Sequence, residues 1–562
     1  MPFILRRFRL SPSTLPQTLS WSTPDGLLVK VAAKKPPRVP PQRRVDRAEG
    51  SVASLDEGDE GHEGDEGHEG HEHRHGESSA QTRRRVPFPP TSEQVDDDID
   101  AFIASIDKGA VCRLASLYNC HRPCSITGRS NGSFNVCFFV RFDDTTQWVV
   151  RIPLEPMVED SWTKVQSEVA TMRHVKLKTS VPVPAVHAYG RSTELRSCSV
   201  TVFMISDLVP GHSLRFDHLR KAPEERRTRF LNDMVDILVE LRRLEFPAAG
   251  SLMPNPANDD AEPIVGDFMD IAINELQRES GSNKRIQPFT SAEDFINYQY
   301  SILSDYYATP FINLAEMTVQ QHLFALNSLA QQIPCLLNPQ WSKGPFILSH
   351  LDLRCSNIIV DDHLHIIGII DWEFTGTVPL QFFTPPLWIT GQARAGIFFP
   401  WHDPIFQSFE AVLQAKSITT EACAKLVQEW NWSNQQNLMF PIVQILLHPD
   451  TLLHVYQSHL CDHFFKGLSN NLRELAADFF ANDVKAKELA TEVDRRMEAS
   501  KRYKAYLTEN DLLVVDEEAE RREAAFVAKL KQGIAKFEAI KAARAERAAK
   551  EAAEPSGADY QD

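Results

Sequence analysis

The sequence predicts an α+β protein of two lobes. A small β-rich N-terminal lobe is expected over residues 91–210 and a large, mainly helical C-terminal lobe over 211–515. A disordered N-terminal arm precedes them and a charged helical tail follows. Three observations carry this reading. Short β-branched and aromatic runs separated by turn residues fill 124–153, followed by one helix-period segment and a further buried strand near 200. From about 211 onward apolar residues recur at three- and four-residue spacing, the mark of amphipathic helices. Within that helical part, 346–372 is an island of apolar strands interrupted by Asp352, Asn357 and Asp371.

The composition sets the bounds. With 562 residues and 42% hydrophobic content the chain exceeds one ordinary domain and can bury a large core. No apolar run approaches the roughly 18 residues of a membrane-spanning helix, so no span is expected. A net charge of -16 argues against nucleic acid as a partner of the whole surface. The nine cysteines show no C-x-x-C spacing, which suits free thiols in a reducing, cytoplasmic compartment.

Residues 1–90 read as a disordered arm. Residues 1–44 hold nine Lys or Arg and a single acid, Asp25, among many Ser, Thr and Pro. This is partly the composition of a mitochondrial transit segment and equally that of a plain basic arm, because Pro2, Pro12, Pro16 and Pro24 break any long helix. Residues 56–77 repeat Asp-Glu-Gly and Gly-His-Glu with no apolar residue, so nothing offsets the entropy of ordering. The five histidines there suit loose metal binding or simply a solvated linker.

Order is expected near Thr91. Ile99, Phe102, Ile103 and Ile106 fall at helical spacing after an acidic start. Strands are predicted at Cys124–Thr127, Asn135–Phe142 and Trp148–Pro153, with Asp143–Thr146 turning between the last two. Val165, Val169, Met172 and Val175 mark a helix, and Val200–Ile205 a buried strand. In the second lobe Leu231, Met234, Val235, Leu238 and Leu241 form one apolar helix face, and further helices are predicted over 311–335 and much of 404–510. Beyond Val515, Val527, Leu530, Ile534 and Phe537 line an exposed helix. It is read either as a weak partner contact or as packing on its own lobe.

The polar residues of the strand island have a chemical reason for their spacing. An Asp on a short loop can accept the proton of an incoming hydroxyl. An Asn five residues later and a second Asp after the next hairpin can hold one metal ion against nucleotide phosphates. Asp361-Asp-His363 supplies the hairpin turn, so Asn357 and Asp371 converge. Upstream, Gly128-Arg-Ser-Asn-Gly132-Ser133-Phe134-Asn135 joins the first two strands. Glycine and small polar residues such as Gly132, Ser133 and Asn135 let backbone N–H groups approach phosphate oxygens.

The segment Ser349-His350-Leu-Asp352 to Asn357, followed by Ile369-Ile-Asp371-Trp372, resembles the catalytic and metal loops of the aminoglycoside phosphotransferase family, the small-molecule branch of the protein-kinase-like fold. The likeness extends over roughly 98–470, and Val181-Pro-Val-Pro184, Gly250-Ser-Leu252 and Trp372-Glu-Phe-Thr375 are similar to the large set of such proteins in filamentous fungi. The resemblance implies ATP and Mg2+ as cofactors and a hydroxyl-bearing small molecule as acceptor. It makes Asp352 the catalytic base, His350 the residue bracing its loop, and Asn357 and Asp371 the magnesium ligands.

On the nucleotide side the resemblance makes Arg151 the phosphate-side cation, where the family usually has Lys, and Glu168 its orienting acid. Surface Arg–Glu pairs of little consequence are the competing reading of these two. Phe203 to Gly211 matches the crossing between lobes, where Asp207 and Met204 would face the base, Met204 being equally readable as plain core. Arg354 in place of the Lys of Ser/Thr kinases, and the lack of Ala-Pro-Glu after Asp371, turn the expectation away from protein substrates. The alternative from another class is an inactive nucleotide-binding scaffold of the same fold.

Overall fold

The computed structural model describes residues 88–197, 199–258, 261–280, 287–391, 403–430, 438–469, 471–482, 484–513 and 521. The basic arm, the His/Glu/Gly tract and the seam of Val527, Leu530, Ile534 and Phe537 lie outside the described residues.

Helix α1 (Ser92–Ala104) starts on a reciprocal cap: the Gln94 amide N–H donates to the Thr91 hydroxyl, and the Gln94 side chain accepts from the Thr91 N–H. It buries Phe102 and Ile103. Helix α2 (Lys108–Tyr118), capped by Asp107, was not legible in the sequence. Its buried face is made of Ala110, Val111 and Ala115.

Strands β1 (Cys124–Asn131), β2 (Asn135–Phe142), β3 (Gln147–Pro153), β4 (Val186–Ser192) and β5 (Thr201–Asp207) form one antiparallel sheet in the order β1-β2-β3-β5-β4, and helix α3 (Ser161–Lys178) follows β3. Strand β1 runs four residues further than its apolar pattern suggested, so the Gly132 loop is a tight turn. Edge strand β4 was missed because only Ala188 of its seven residues is buried. Successive side chains alternate between the two faces of a sheet. Val136, Phe138, Val140, Val150, Ile152, Phe203 and Ile205 pack with α1 and α2 on one face. Cys137, Arg151 and Met204 are register partners on the other, where Met204 meets Val165 and Val169 of α3.

The chain crosses between lobes at 208–211. A Cβ on Gly211 would stand 2.7 Å from the Val360 carbonyl oxygen, which explains a glycine there. Strand β6 (His212–Ser213) then adds to the site hairpin. Helices α4 (Phe216–Lys221) and α5 (Glu224–Arg242) follow, and Leu231, Met234, Val235, Leu238 and Leu241 of α5 are all buried. Each such side chain contributes roughly 1.5–3 kcal/mol, more than the propensity cost of the charged turns before them.

Next come β7 (Glu245–Phe246), β8 (Ser251–Met253), β9 (Ile264–Gly266), α6 (Ile271–Ser280), α7 (Ala292–Ala308) and α8 (Glu316–Gln332). The site strands are β10 (Phe346–Ser349), β11 (Ile358–Val360), β12 (Ile366–Ile369) and β13 (Gly376–Pro379). Helices α9 (Pro404–Ser417), α10 (Glu421–Trp430), α11 (Met439–Leu447), α12 (Leu452–Val455), α13 (Cys461–Phe464), α14 (Leu472–Asn482) and α15 (Val484–Glu509) complete the second lobe. The result is the two-lobed α+β architecture predicted from the sequence. None of the described helices is long and apolar enough to cross a membrane.

Candidate active site

Strand β10 is buried at Phe346, Ile347 and Leu348 and pairs antiparallel with β13 and β7, which fixes where the next residues emerge. His350 and Asp352 come off its end. A one-turn helix, Cys355–Asn357, leads into β11, and Asp361 closes the hairpin by accepting from the N–H groups of His363 and His365. Ile358 pairs with Ile369, and the Ile370 N–H donates to the Asn357 carbonyl at 2.9 Å. Asn357 and Asp371 therefore stand at the same end of the hairpin. Asp371 has φ 67°, a left-handed conformation that costs about 1–2 kcal/mol for an L-residue and is tolerated best by Asn and Asp.

His350 acts as a brace. Its Nε2 lies 3.0 Å from the Ile370 carbonyl oxygen, one residue before Asp371, and its ring packs 4.9 Å from Trp372. Burial pushes its pKa down, so the imidazole is neutral and Nε2 carries the proton that this carbonyl accepts. Asp352 Oδ2 accepts from the Asn357 amide at 3.2 Å and from Arg354 Nε at 3.1 Å. The Asn357 amide also donates to the Asp352 carbonyl oxygen. Asn357 Oδ1 and the Asp371 carboxylate are hard oxygen donors of the kind that, with phosphate oxygens and water, hold Mg2+.

Arg151 sits on the cleft-facing side of β3. Its guanidinium donates to Glu168 of α3 and, at 2.7 Å, to Asp371 Oδ1. Glu168 is 1% exposed, so these contacts are buried and not the surface pairing that was the competing reading. Burial raises the neighbouring Cys137 thiol to about 11, leaving it neutral beside these charges.

Other expectations are corrected. Gly132 and Ser133 are exposed at the turn, but Asn135 is buried, accepting from Lys164 Nζ and donating to Glu373 at 2.7 Å. The loop tip follows it down, with Phe134 5.0 Å from Phe374 edge to face. Met204 is 1% exposed and belongs to the core under α3. Asp207 accepts from the Ala185 N–H and meets His187 Nε2 at 2.6 Å, so it pins the sheet edge.

Three contributors were missed. Lys164 is a second buried cation beside Arg151, Glu373 is its ion-pair partner, and Arg354 touches Asp352. The signal for Lys164 was present, since it lies one helical turn before Glu168 and shares its face.

An acidic cluster, invisible as a sequence run, also assembles. Asp270, Glu275, Tyr306, Asp352, Glu373 and Asp450 line one cavity, with Phe374 on its wall.

Residues 125–382 match the model of the family described as Phosphotransferase enzyme family. Among curated proteins, the Clavilactone A biosynthesis cluster protein Y of Ampulloclitocybe clavipes is 26% identical over 256 residues, 44% of this chain and 59% of that protein. Subtelomeric hrmA-associated cluster proteins of two Aspergillus fumigatus strains are 24% identical over 303 residues, 44% of this chain and 57% of theirs. The chain thus spans less than two thirds of the length of these relatives. Similar solved structures include a Plasmodium vivax ethanolamine kinase at 13% identity and TM-score 0.34, covering 71% of this chain and 98% of that one. A macrolide 2'-phosphotransferase from Brachybacterium faecium has 14% identity and TM-score 0.33, covering 66% and 97%.

Proposed function

We propose that this chain is an ATP- and magnesium-dependent phosphotransferase that moves the γ-phosphoryl group to a hydroxyl of a small molecule. The observation that carries the reading is the convergence of Asp352, Asn357 and Asp371 at one end of the β11–β12 hairpin, facing the Arg151–Glu168 pair of the other lobe.

In this reading Asp352 accepts the proton of the acceptor hydroxyl as its oxygen bonds to the γ-phosphorus. The bond to the β-phosphate oxygen breaks, and ADP leaves with that electron pair. Asn357 orients Asp352 through two hydrogen bonds, and Arg354 donates a further one to the same carboxylate. Arg151 supplies positive charge to the phosphates, held in direction by Glu168. Bound at Asn357 and Asp371, Mg2+ would neutralise phosphate charge. His350 keeps the base loop and the metal loop at a fixed separation.

The acceptor belongs in the cavity beside Asp352. Five carboxylates line it and neither Lys nor Arg does, although Asp352 and Glu373 are already paired with Arg354 and Lys164, so alcohols that also bear an amine are the first acceptors to test. The test is an ATP-consumption screen of hydroxyl-bearing metabolites with Asp352→Asn as the blank, preceded by thermal denaturation in millimolar Mg-ATP. A ligand that binds only the folded state raises Tm. An unchanged Tm for the wild-type chain would favour the inactive scaffold.

A further inference from the structure

Lys164 and Glu373 form an ion pair that phosphate transfer, as read above, does not use. Lys164 lies on the second turn of α3 with its side chain 2% exposed, and Glu373 lies two residues past Asp371 at 9%. A lysine is almost never this buried unless paired. Its Nζ also donates to Asn135 Oδ1 at 3.2 Å, and the Asn135 amide donates to Glu373 at 2.7 Å. These contacts close a triangle between α3, β2 and the metal loop. Phe134, Val158 and Phe374 form its apolar cover, and Nζ stands 5.8 Å over the Phe374 ring.

Arg151 makes a second link between the same lobes, from Glu168 to Asp371, and the two links meet where Arg151 stands 3.9 Å from Glu373 and Lys164 3.9 Å from Glu168. The two links differ in what a nucleotide would do to them. A cation on Asp371 competes for the carboxylate that Arg151 holds, and a phosphate competes for the guanidinium. Arg151 therefore exchanges partners on binding. Lys164 is 2% exposed, so neither phosphate nor metal reaches its ammonium, while Glu373 also lines the cavity beside Asp352.

We propose that Lys164 and Glu373 are positioning residues: a permanent tie that keeps α3, and with it Glu168, against the metal loop while Arg151 passes from Asp371 to phosphate. The exchange at Arg151 rests on the phosphotransfer reading, whereas the tie itself does not.

Two measurements on the full chain test this. Removing one partner strands a buried charge, whereas replacing both with apolar side chains of similar volume is often neutral. Urea denaturation of Lys164→Met, Glu373→Met and the double variant should therefore be strongly non-additive, with the double losing less stability than the two singles summed. Additive losses would overturn the tie whatever the protein does with ATP. The second measurement is ATP hydrolysis without acceptor. The folded double variant should turn over about 10- to 100-fold more slowly, because apolar packing does not set the register of α3 on the metal loop. Its half-saturation by Mg-ATP should stay within about threefold of wild type. Unchanged turnover, or a loss confined to half-saturation, would overturn the positioning role. A wild-type chain that neither binds nor hydrolyses Mg-ATP would overturn the phosphotransfer reading and the positioning role with it, while the stability cycle still decides the tie.

Discussion

The guanidinium of Arg151 meets the Asp371 carboxylate at 2.7 Å, joining strand β3 to the end of the β11–β12 hairpin across 220 residues of chain. The expected phosphate-side cation and the expected metal-side anion neutralise each other, and their partnership keeps both charges satisfied in a buried cleft.

Arg151→Met should show this in two ways. Glu168 would lose its main partner and keep only Lys164 at 3.9 Å, so stability should fall by about 3 kcal/mol, the lower end for a broken buried pair. The Tm shift with Mg-ATP should shrink. Arg151→Lys keeps the charge without the fork that spans two carboxylates, and should fall between. Urea denaturation and thermal shift read both, and a Met variant equal to wild type would remove Arg151 from the site.

Asp352→Asn should lower single-turnover phosphoryl transfer by about 10²- to 10⁴-fold, the usual cost of losing a general base. Nucleotide affinity should change little, because the carboxylate lines the cavity and its described contacts are to Arg354 and Asn357. Parallel loss of ATP binding and folding would make its role structural.

Acid should destabilise the chain through His322, which burial pushes down to about 3 from an ordinary 6.5. The unfolded chain binds this proton first as pH falls. The stability is therefore complete above about 6.5 and is lost by about 1.4 kcal/mol per pH unit below it, down to about 3. Burial shifts His350 and His174 the same way. Urea midpoints between pH 4.5 and 7 should show the slope, and His322→Gln should flatten it by about one proton. An unchanged slope would assign the acid sensitivity elsewhere.

Asp270 has the opposite sign. Burial raises it to about 6 from 3.8, so its contribution is intact below about 3.8 and is lost as pH rises through 6, at a cost of about 3 kcal/mol at pH 7. Asp270→Asn keeps an oxygen for the Ile273 N–H and should raise stability at pH 7 by up to about 2 kcal/mol, with no gain at pH 4. If the cavity takes an amine-bearing alcohol, the same variant should raise KM for it. A variant less stable at both pH values would refute the account of Asp270.

Much of the candidate site's geometry was legible because its spacing is local. His350, Asp352, Asn357 and Asp371 lie within 22 residues, between strands whose apolar runs announce a hairpin. Arg151 and Glu168 were legible through the order of strand, strand, helix. The misreadings fell where a residue's role depends on what stands opposite it. Asn135, Met204 and Asp207 occupy plausible positions for nucleotide contacts, yet Asn135 faces Lys164 and Glu373, Met204 faces the α3 core and Asp207 faces His187.

From the sequence alone came the two-lobed class, the hairpin that brings Asn357 beside Asp371, and the residue types that the proposed proton and phosphate transfer requires. These follow from periodicity and short spacing, which act within a few turns of chain. Only the tertiary structure decided that Lys164 pairs with Glu373, that Phe134 closes on Phe374, and that Asp270, Glu275 and Asp450 share a wall with Asp352. Burial has to assemble before a lysine needs a particular carboxylate, because in water either group is satisfied by solvent. Such pairings are set by the low dielectric of the packed lobes and leave no period in the sequence.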